Sequence, residues 1–283
     1  MFTTVDGARL YFDTEGSQFS ATGAALAKRR SIVLLHGGPG VDHSVFRELG
    51  RELSRDLHVV YLDQRGSGRS EDGPIGKWSL EQWATDVRDF CGQLGLEKPI
   101  VLGHSFGGYV AQAYGSLFPA HAGGLILAGT APRFVLDRFL EMMGTLGGEE
   151  SVRVAREFYR NPRENLPVYL QNCYPHYSVS PVDFEAMGRI VIRPDVADHF
   201  VRGEMQSFDL RGKLPRVASP TLVLSGDRDV IATPQDIRDL LTALPKKLTQ
   251  SVSYENCGHE IFRDKPREAI AAVLAFSRGL PSR

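Results

Sequence analysis

The sequence predicts an α/β fold: a mostly parallel, twisted sheet flanked by helices, with a helical cap inserted into it. Three observations lead there. Short runs at 31–35, 59–62, 100–102, 125–128 and 221–224 are mostly apolar and unalternated, the pattern of strands buried on both faces. Between them lie stretches with apolar residues at helical spacing, and strands alternating with helices build a parallel sheet covered on both sides. The alternation then breaks at Pro132 and resumes near Pro220, which places an insertion between two strands.

In chain order, residues 17–30 are small and polar, end in Lys28-Arg29-Arg30, and read as a loose hairpin or loop. Residues 43–54 set Val45, Phe46, Leu49 and Leu53 on one helical face. Residues 80–94 do the same with Leu80, Trp83, Ala84, Val87, Phe90, Cys91 and Leu94, and Ser79 with Gln82 resembles a capping box at that helix's start. A further helical run extends from Tyr109 to about Leu117. Within the insertion, 135–143 and 151–160 have helical patterns, and the segment holds every methionine except the initiator. A soft, aromatic cap suits an adaptable apolar pocket. Most of these side chains are expected to form the cap's own small core, with a few, Phe134 and Met142 among them, facing a substrate. The predicted boundaries are 1–131 and 216–283 for the core domain and 132–215 for the cap.

Composition excludes several classes of function. The chain has 283 residues, 42% hydrophobic and 24% charged, enough to bury a substantial core. A net charge of −1 gives no field to draw it to nucleic acid or an acidic membrane. Cys91, Cys173 and Cys257 are too few and scattered for a disulfide framework or a CxxC zinc site, which favours a reducing, cytoplasmic setting. No run reaches the roughly 18 apolar residues of a membrane span, and the first residues lack a secretory pattern. The expected partner is a small-molecule substrate, with no nucleic acid, no membrane, no cofactor and no metal; composition is silent on oligomeric state.

Gly103-His104-Ser105-Phe106-Gly107 reads G-x-S-x-G between a buried strand and a helix, the setting of a nucleophile elbow. Such a turn strains the serine, needs small neighbours, and sets the hydroxyl over a helix N-terminus that favours developing negative charge. A serine hydroxyl needs a base. In the chain order Ser, acid, His, that base is His259, in a loop after the apolar-alternating run 252–254 and before the last helix. The other seven histidines are weaker candidates; His36 and His104 sit inside motifs, but His104 points away from Ser105 along the turn. The loop after 221–224 offers Asp227 and Asp229, of which Asp229 lies deeper, toward a helix opened by Thr233-Pro234. The glycine-dense turn His36-Gly37-Gly38-Pro39-Gly40 lets backbone approach a ligand closely, so the N–H groups of Gly38 and Phe106 are the expected oxyanion hole. A histidine base predicts an acidic limb near pKa 6–7, the range of an ordinary histidine at about 6.5.

With these pieces assembled, the chain resembles the α/β-hydrolase superfamily along essentially its whole length, and within it the proline iminopeptidase-like branch. The likeness rests on HGGPG at 36–40, DQRGSGRS at 63–70, GHSFGG at 103–108, Gly226-x-x-Asp229 and Gly258-His259. It implies that the acid is Asp229, three residues after the glycine, and that the loop at 63–70, with Arg65 and Arg69, is architectural. Two positions depart from the pattern. Phe106 stands where proline iminopeptidases typically have tryptophan. Of the two glutamates that bind the substrate's amino group in that family, Glu204 matches the one in the cap, whereas Val230 replaces the one after the acid.

The leading reading is therefore a serine hydrolase acting on a small ester, amide or lactone through Ser105, His259, Asp229 and an acyl-enzyme. Alternatives are a proline iminopeptidase-type aminopeptidase, a hydrolase-derived small-molecule receptor, and a cofactor-free oxygenase or perhydrolase. Haloalkane dehalogenase and epoxide hydrolase chemistry are disfavoured, since those enzymes use aspartate at the position of Ser105.

Overall fold

A computed structural model describes residues 1–22 and 25–281. The chain opens with an antiparallel pair, β1 (Phe2–Val5) and β2 (Ala8–Glu15), followed by a small hairpin of β3 (Phe19–Thr22) and β4 (Ala25–Lys28). The expected hairpin at 17–30 is thus present, though residues 23–24 lie outside the described residues. Then come β5 (Ser31–Leu35), α1 (Arg47–Leu53), β6 (His58–Leu62), α2 (Leu80–Gln93), β7 (Ile100–His104), α3 (Phe106–Leu117) and β8 (Gly124–Ala128). Between β8 and the next strand lie α4 (Leu136–Arg160), α5 (Pro162–Asn172), α6 (Phe184–Gly188) and α7 (Pro194–Arg202), with no strand. The chain closes with β9 (Thr221–Gly226), α8 (Pro234–Ala243), β10 (Thr249–Tyr254), α9 (Ile261–Asp264) and α10 (Pro266–Gly279).

Eight strands form one sheet in the order β1-β2-β6-β5-β7-β8-β9-β10. It is parallel from β6 to β10 and antiparallel only at β1–β2 and β2–β6. Successive side chains of a strand point to opposite faces. Accordingly Val33 and Leu35 join one apolar layer with Trp83, Val110 and Leu240 of the helices on that side. Ile32 and Leu34 join the other, with Leu49, Leu53, Val273 and Phe276. Both layers exclude water from β5, β7 and β8, which explains their unbroken apolar sequences.

Helix termini follow local chemistry. Thr233 caps α8 with a complete capping box, its hydroxyl accepting from the Asp236 N–H while the Asp236 carboxylate accepts from the Thr233 N–H. At α2 only half of the expected box forms. Ser79 accepts from the Gln82 N–H, but the Gln82 amide turns instead to the buried Asp86 carboxylate, 2.8 Å away. The two helical patterns 135–143 and 151–160 are joined by helical backbone at 144–147, and α4 kinks at Gly148, whose φ of 75° interrupts the helix. Cys91, Cys173 and Cys257 are buried free thiols. Among the described residues no helix is long and apolar enough to cross a membrane.

Candidate active site

Strand β7 ends at His104, and α3 begins at Phe106. Ser105 is the single residue between them, with φ 56° and ψ −121°, a conformation L-residues rarely adopt. The turn is that sharp because two glycines permit it. A side chain on Gly103 would collide with the backbone of Gly107, and one on Gly107 would collide with the carbonyl of Leu35. The Ser105 N–H is anchored on the Ala128 carbonyl at 3.0 Å, which fixes the elbow against the end of β8.

The residue just after β8, Gly129, lies beside the histidine. A Cβ on Gly129 would lie 3.1 Å from Nδ1 of His259 and 3.3 Å from Oδ2 of Asp229. Nδ1 of His259 in turn lies 3.0 and 3.1 Å from the two carboxylate oxygens of Asp229. Asp229 also accepts the N–H groups of Ile231 at 2.7 Å and Ala232 at 2.9 Å. Burial pushes its carboxyl pKa up, but the charge and hydrogen bond of His259 and those two N–H groups outweigh burial and hold it below the ordinary value. Asp229 is therefore a carboxylate, and Nδ1 of His259 carries the hydrogen it receives. His259 is governed by the same balance in mirror image: burial lowers its pKa, and Asp229 more than restores it, so the net shift is upward. The imidazole thus holds its proton more tightly than an ordinary histidine. Asp227, the other aspartate of the loop, is exposed and accepts from the Cys257 N–H at 3.1 Å; it does not pair with His259.

On the other side of Ser105, a Cβ on Gly37 would lie 3.2 Å from the Cβ of Ser105, which brings the glycine-dense turn beside the elbow. Gly38 follows with φ 103°. Buried His36 fixes this turn. Its Nε2 accepts from the Gln64 N–H at 3.1 Å, and Nδ1 donates to the Gly37 carbonyl at 2.9 Å. Gly40 donates to Ser67 Oγ at 3.2 Å, and its carbonyl accepts from the Arg193 N–H at 2.6 Å, tying the turn to the inserted helical segment.

The loop at 63–70 is architectural, as the resemblance implied. Arg65 is buried and makes a bidentate pair with Asp86, 2.7 Å at each contact. Arg69 pairs with Asp42 at 2.6 Å. Asp63 accepts from the backbone N–H and Nδ1 of His43 and from the Arg69 N–H. Asp42, His43 and Asp63, the one cluster of metal-capable side chains among the described residues, is spent on these internal bonds.

The alpha/beta hydrolase fold family model matches residues 30–266. A proline iminopeptidase of Heyndrickxia coagulans is 25% identical over 300 residues, covering 97% of each chain. The crystal structure of the Mycobacterium smegmatis proline iminopeptidase superposes with a TM-score of 0.77 at 21% identity, covering 98% of this chain and 97% of that one. An esterase from Exiguobacterium antarcticum superposes at 0.75 with 20% identity, covering 98% of both. The chain belongs to the α/β-hydrolase family. Its kinship is with the proline iminopeptidase-like members, and it is a hydrolase.

The hydrolase's remaining sequence candidates scatter. Glu204 turns one carboxylate oxygen onto the Leu80 N–H, 2.8 Å away, where it supplies an acceptor to the N-terminus of α2. Val230 is fully buried. Phe134 stacks on Tyr159 at 5.0 Å and packs with Phe139, within the inserted segment's own core, and Met142 is half-buried against the same cluster. The Phe106 ring fills a cluster with Trp83 of α2 at 4.9 Å and Phe200 of α7 at 5.0 Å. Sequence reasoning missed three neighbours of His259. His104 meets its carbonyl, Tyr177 presents a ring edge to its imidazole at 5.4 Å, and Asp264 receives the N–H of the preceding Gly258. Only the adjacency of His104 to Ser105 was a signal in the sequence; Tyr177 and Asp264 carry no motif of their own.

Proposed function

We propose that this hydrolase cleaves small acyl esters, amides or lactones through an acyl-enzyme on Ser105. The observation that carries this reading is the buried, hydrogen-bonded pair of Asp229 and His259 packed against the β8 end that anchors strained Ser105. With Nδ1 of His259 donating to Asp229, the free lone pair is on Nε2, the atom that takes the Ser105 proton as the hydroxyl attacks a carbonyl carbon. Negative charge then develops on the carbonyl oxygen, and the N–H groups of Phe106, first in its helix, and of Gly38 are the donors suited to it. Protonated His259 returns the proton to the leaving group; water repeats the sequence and frees the acid. In this reading residues 132–215 form the cap, and Phe134 and Met142 shape its apolar side.

Aminopeptidase action is the second reading, favoured by the turn at 36–40 and by the names of the relatives. Two features weigh against it. Val230 supplies no acceptor where an ammonium would need one, and a desolvated ammonium without a partner is unfavourable. Glu204 is half committed to the Leu80 N–H. The deciding experiment compares free and N-acetylated prolyl and alanyl arylamides with phenyl esters of matched size. The expected result is ready ester hydrolysis with modest preference for the free amine. Strong selectivity for the free amine, abolished by Glu204→Gln, would establish the aminopeptidase instead.

A further inference from the structure

The loop bearing His259 is bound to the inserted helical segment through one side chain. Asp264 ends α9, five residues after His259, and its carboxylate accepts four hydrogen bonds. Oδ1 takes the Ser178 hydroxyl at 2.5 Å and the Ser180 N–H at 2.9 Å. Oδ2 takes the Val179 N–H at 3.0 Å and the Gly258 N–H at 2.8 Å. Three of the four donors thus belong to residues 178–180 of the insertion, and the fourth is the amide immediately before His259. Two further links run parallel: the Glu260 N–H donates to the Tyr177 carbonyl at 3.1 Å, and Arg263 donates to the Tyr174 hydroxyl at 3.0 Å. Burial raises the carboxyl pKa of Asp264, but the Ser178 hydroxyl and the three N–H groups prevail and keep it ionised, so these are charge-assisted bonds.

We infer that Asp264 is a positioning residue, which seats His259 against Asp229 by fastening its loop to residues 178–180 of the inserted segment. This rests on the catalytic reading of His259 above. Asp229 orients the imidazole plane, but a ring hydrogen bond does not hold the backbone on which the ring is carried. Gly258 and Glu260, on either side of His259, both donate their N–H groups toward the insertion, one through Asp264 and one directly to Tyr177. Without Asp264 the loop keeps its bond to His104 and the direct bond to Tyr177, and loses its anchor on the N-terminal side of His259, at the Gly258 N–H. A displacement of about 1 Å from reactive geometry costs on the order of 10²-fold in rate.

The test is a series, Asp264→Asn, Asp264→Ala and Ser178→Ala, read in two ways. The first is the rate of Ser105 labelling by a fluorophosphonate, with kcat and KM on a phenyl ester. The second is independent of turnover: the downfield Nδ1 proton resonance of His259, assigned by its loss in Asp229→Asn. In Asp264→Ala, labelling and kcat are expected to fall about 10–100-fold with KM little changed, and the resonance to broaden or vanish while circular dichroism remains that of the wild type. Asp264→Asn, which keeps one acceptor oxygen, falls between. Ser178→Ala, which takes one of the four donors from Asp264 and also removes an acceptor of the Ser180 N–H, shifts both readouts in the same direction by less and serves where the Asp264 variants do not fold. Unchanged labelling and an unchanged resonance in folded variants would overturn the inference. A wild type that leaves Ser105 unlabelled would sink the hydrolytic reading, and the resonance would still decide whether Asp264 seats His259.

Discussion

Nε2 of His104 lies 3.0 Å from the carbonyl oxygen of His259, and the two rings face each other at 4.8 Å. The residue before the proposed nucleophile therefore holds the backbone of the residue proposed as its base. Burial lowers the pKa of His104, so it is a neutral ring donating its Nε2 hydrogen to that carbonyl. Replacing it with phenylalanine keeps the packing against His259, Phe46 and Phe262 and removes the donor. Because the His259 carbonyl keeps the Ile261 N–H at 3.0 Å, His104→Phe is expected to cost about 0.5–1.5 kcal/mol in urea unfolding, the net contribution of one hydrogen bond, together with a several-fold loss of kcat.

Ser105 separates stability from activity. Its φ of 56° with ψ of −121° is a sparsely populated conformation of the kind that costs about 1–3 kcal/mol. Glycine adopts it without that cost but loses about 0.5–1 kcal/mol to greater freedom when unfolded. Ser105→Gly is expected to unfold at higher urea than the wild type, by about 1 kcal/mol, while turnover and fluorophosphonate labelling disappear. Ser105→Ala abolishes turnover with stability near that of the wild type. Equal or lower stability of the glycine variant would mean that the elbow is not strained.

The two loop aspartates are expected to differ by orders of magnitude. Asp229→Asn disturbs the tautomer and charge balance of His259, a change that costs on the order of 10⁴-fold in kcat. The exposed Asp227 carboxylate accepts the Cys257 N–H, a bond that an asparagine oxygen can also accept, so Asp227→Asn changes kcat by a few-fold at most. Steady-state kinetics of both variants on one ester decide the assignment, and the reverse order refutes it.

Activity and stability should run in opposite directions through the titration of His259. Its folded pKa lies above the ordinary value of about 6.5, because Asp229 overcomes burial. A base must be neutral, so kcat/KM falls on acidification through a pKa above that value. The pairing stabilises the fold most below about pH 6.5 and is lost as pH rises through the folded pKa. Asp229, with its pKa depressed, contributes above the unfolded value of about 3.9 and loses that contribution as pH falls through its own folded pKa. In Asp229→Asn burial is left to dominate, and the acidic limb moves below 6.5. Rate profiles and urea unfolding from pH 5 to 9 test both signs; a wild-type limb at or below 6.5 contradicts the pairing.

Much of this molecule was legible as local pattern. Strand β5 was bounded to the residue, because nothing but a doubly buried strand suits five consecutive water-excluding positions before a glycine turn. The elbow was legible because close backbone approach admits only glycine at 103 and 107. The strands β1 and β2 at the antiparallel end of the sheet were not anticipated, since a short, partly exposed antiparallel pair has a weak apolar signature. Glu204 was read by analogy as an amine receptor; that one of its oxygens also accepts the Leu80 N–H at the start of α2 was not legible, because the two residues are 124 positions apart.

The sequence by itself determined the alternation of strands and helices and the turn at Ser105, because each depends on residues within a few positions of one another; the choice of Asp229 over Asp227 came from the family resemblance. Only the tertiary structure decided what surrounds His259. Asp229, His104, Tyr177 and Asp264 approach it from β9's loop, β7, the inserted segment and α9, across separations of up to 155 residues. Those contacts arise from the packing of β7 beside β8 and β9 and from the seating of 174–180 on the loop. Packing of elements distant in the chain leaves no periodicity or spacing along it, so its consequences for pKa, loop anchorage and the use of Glu204 appear only when the elements are in place.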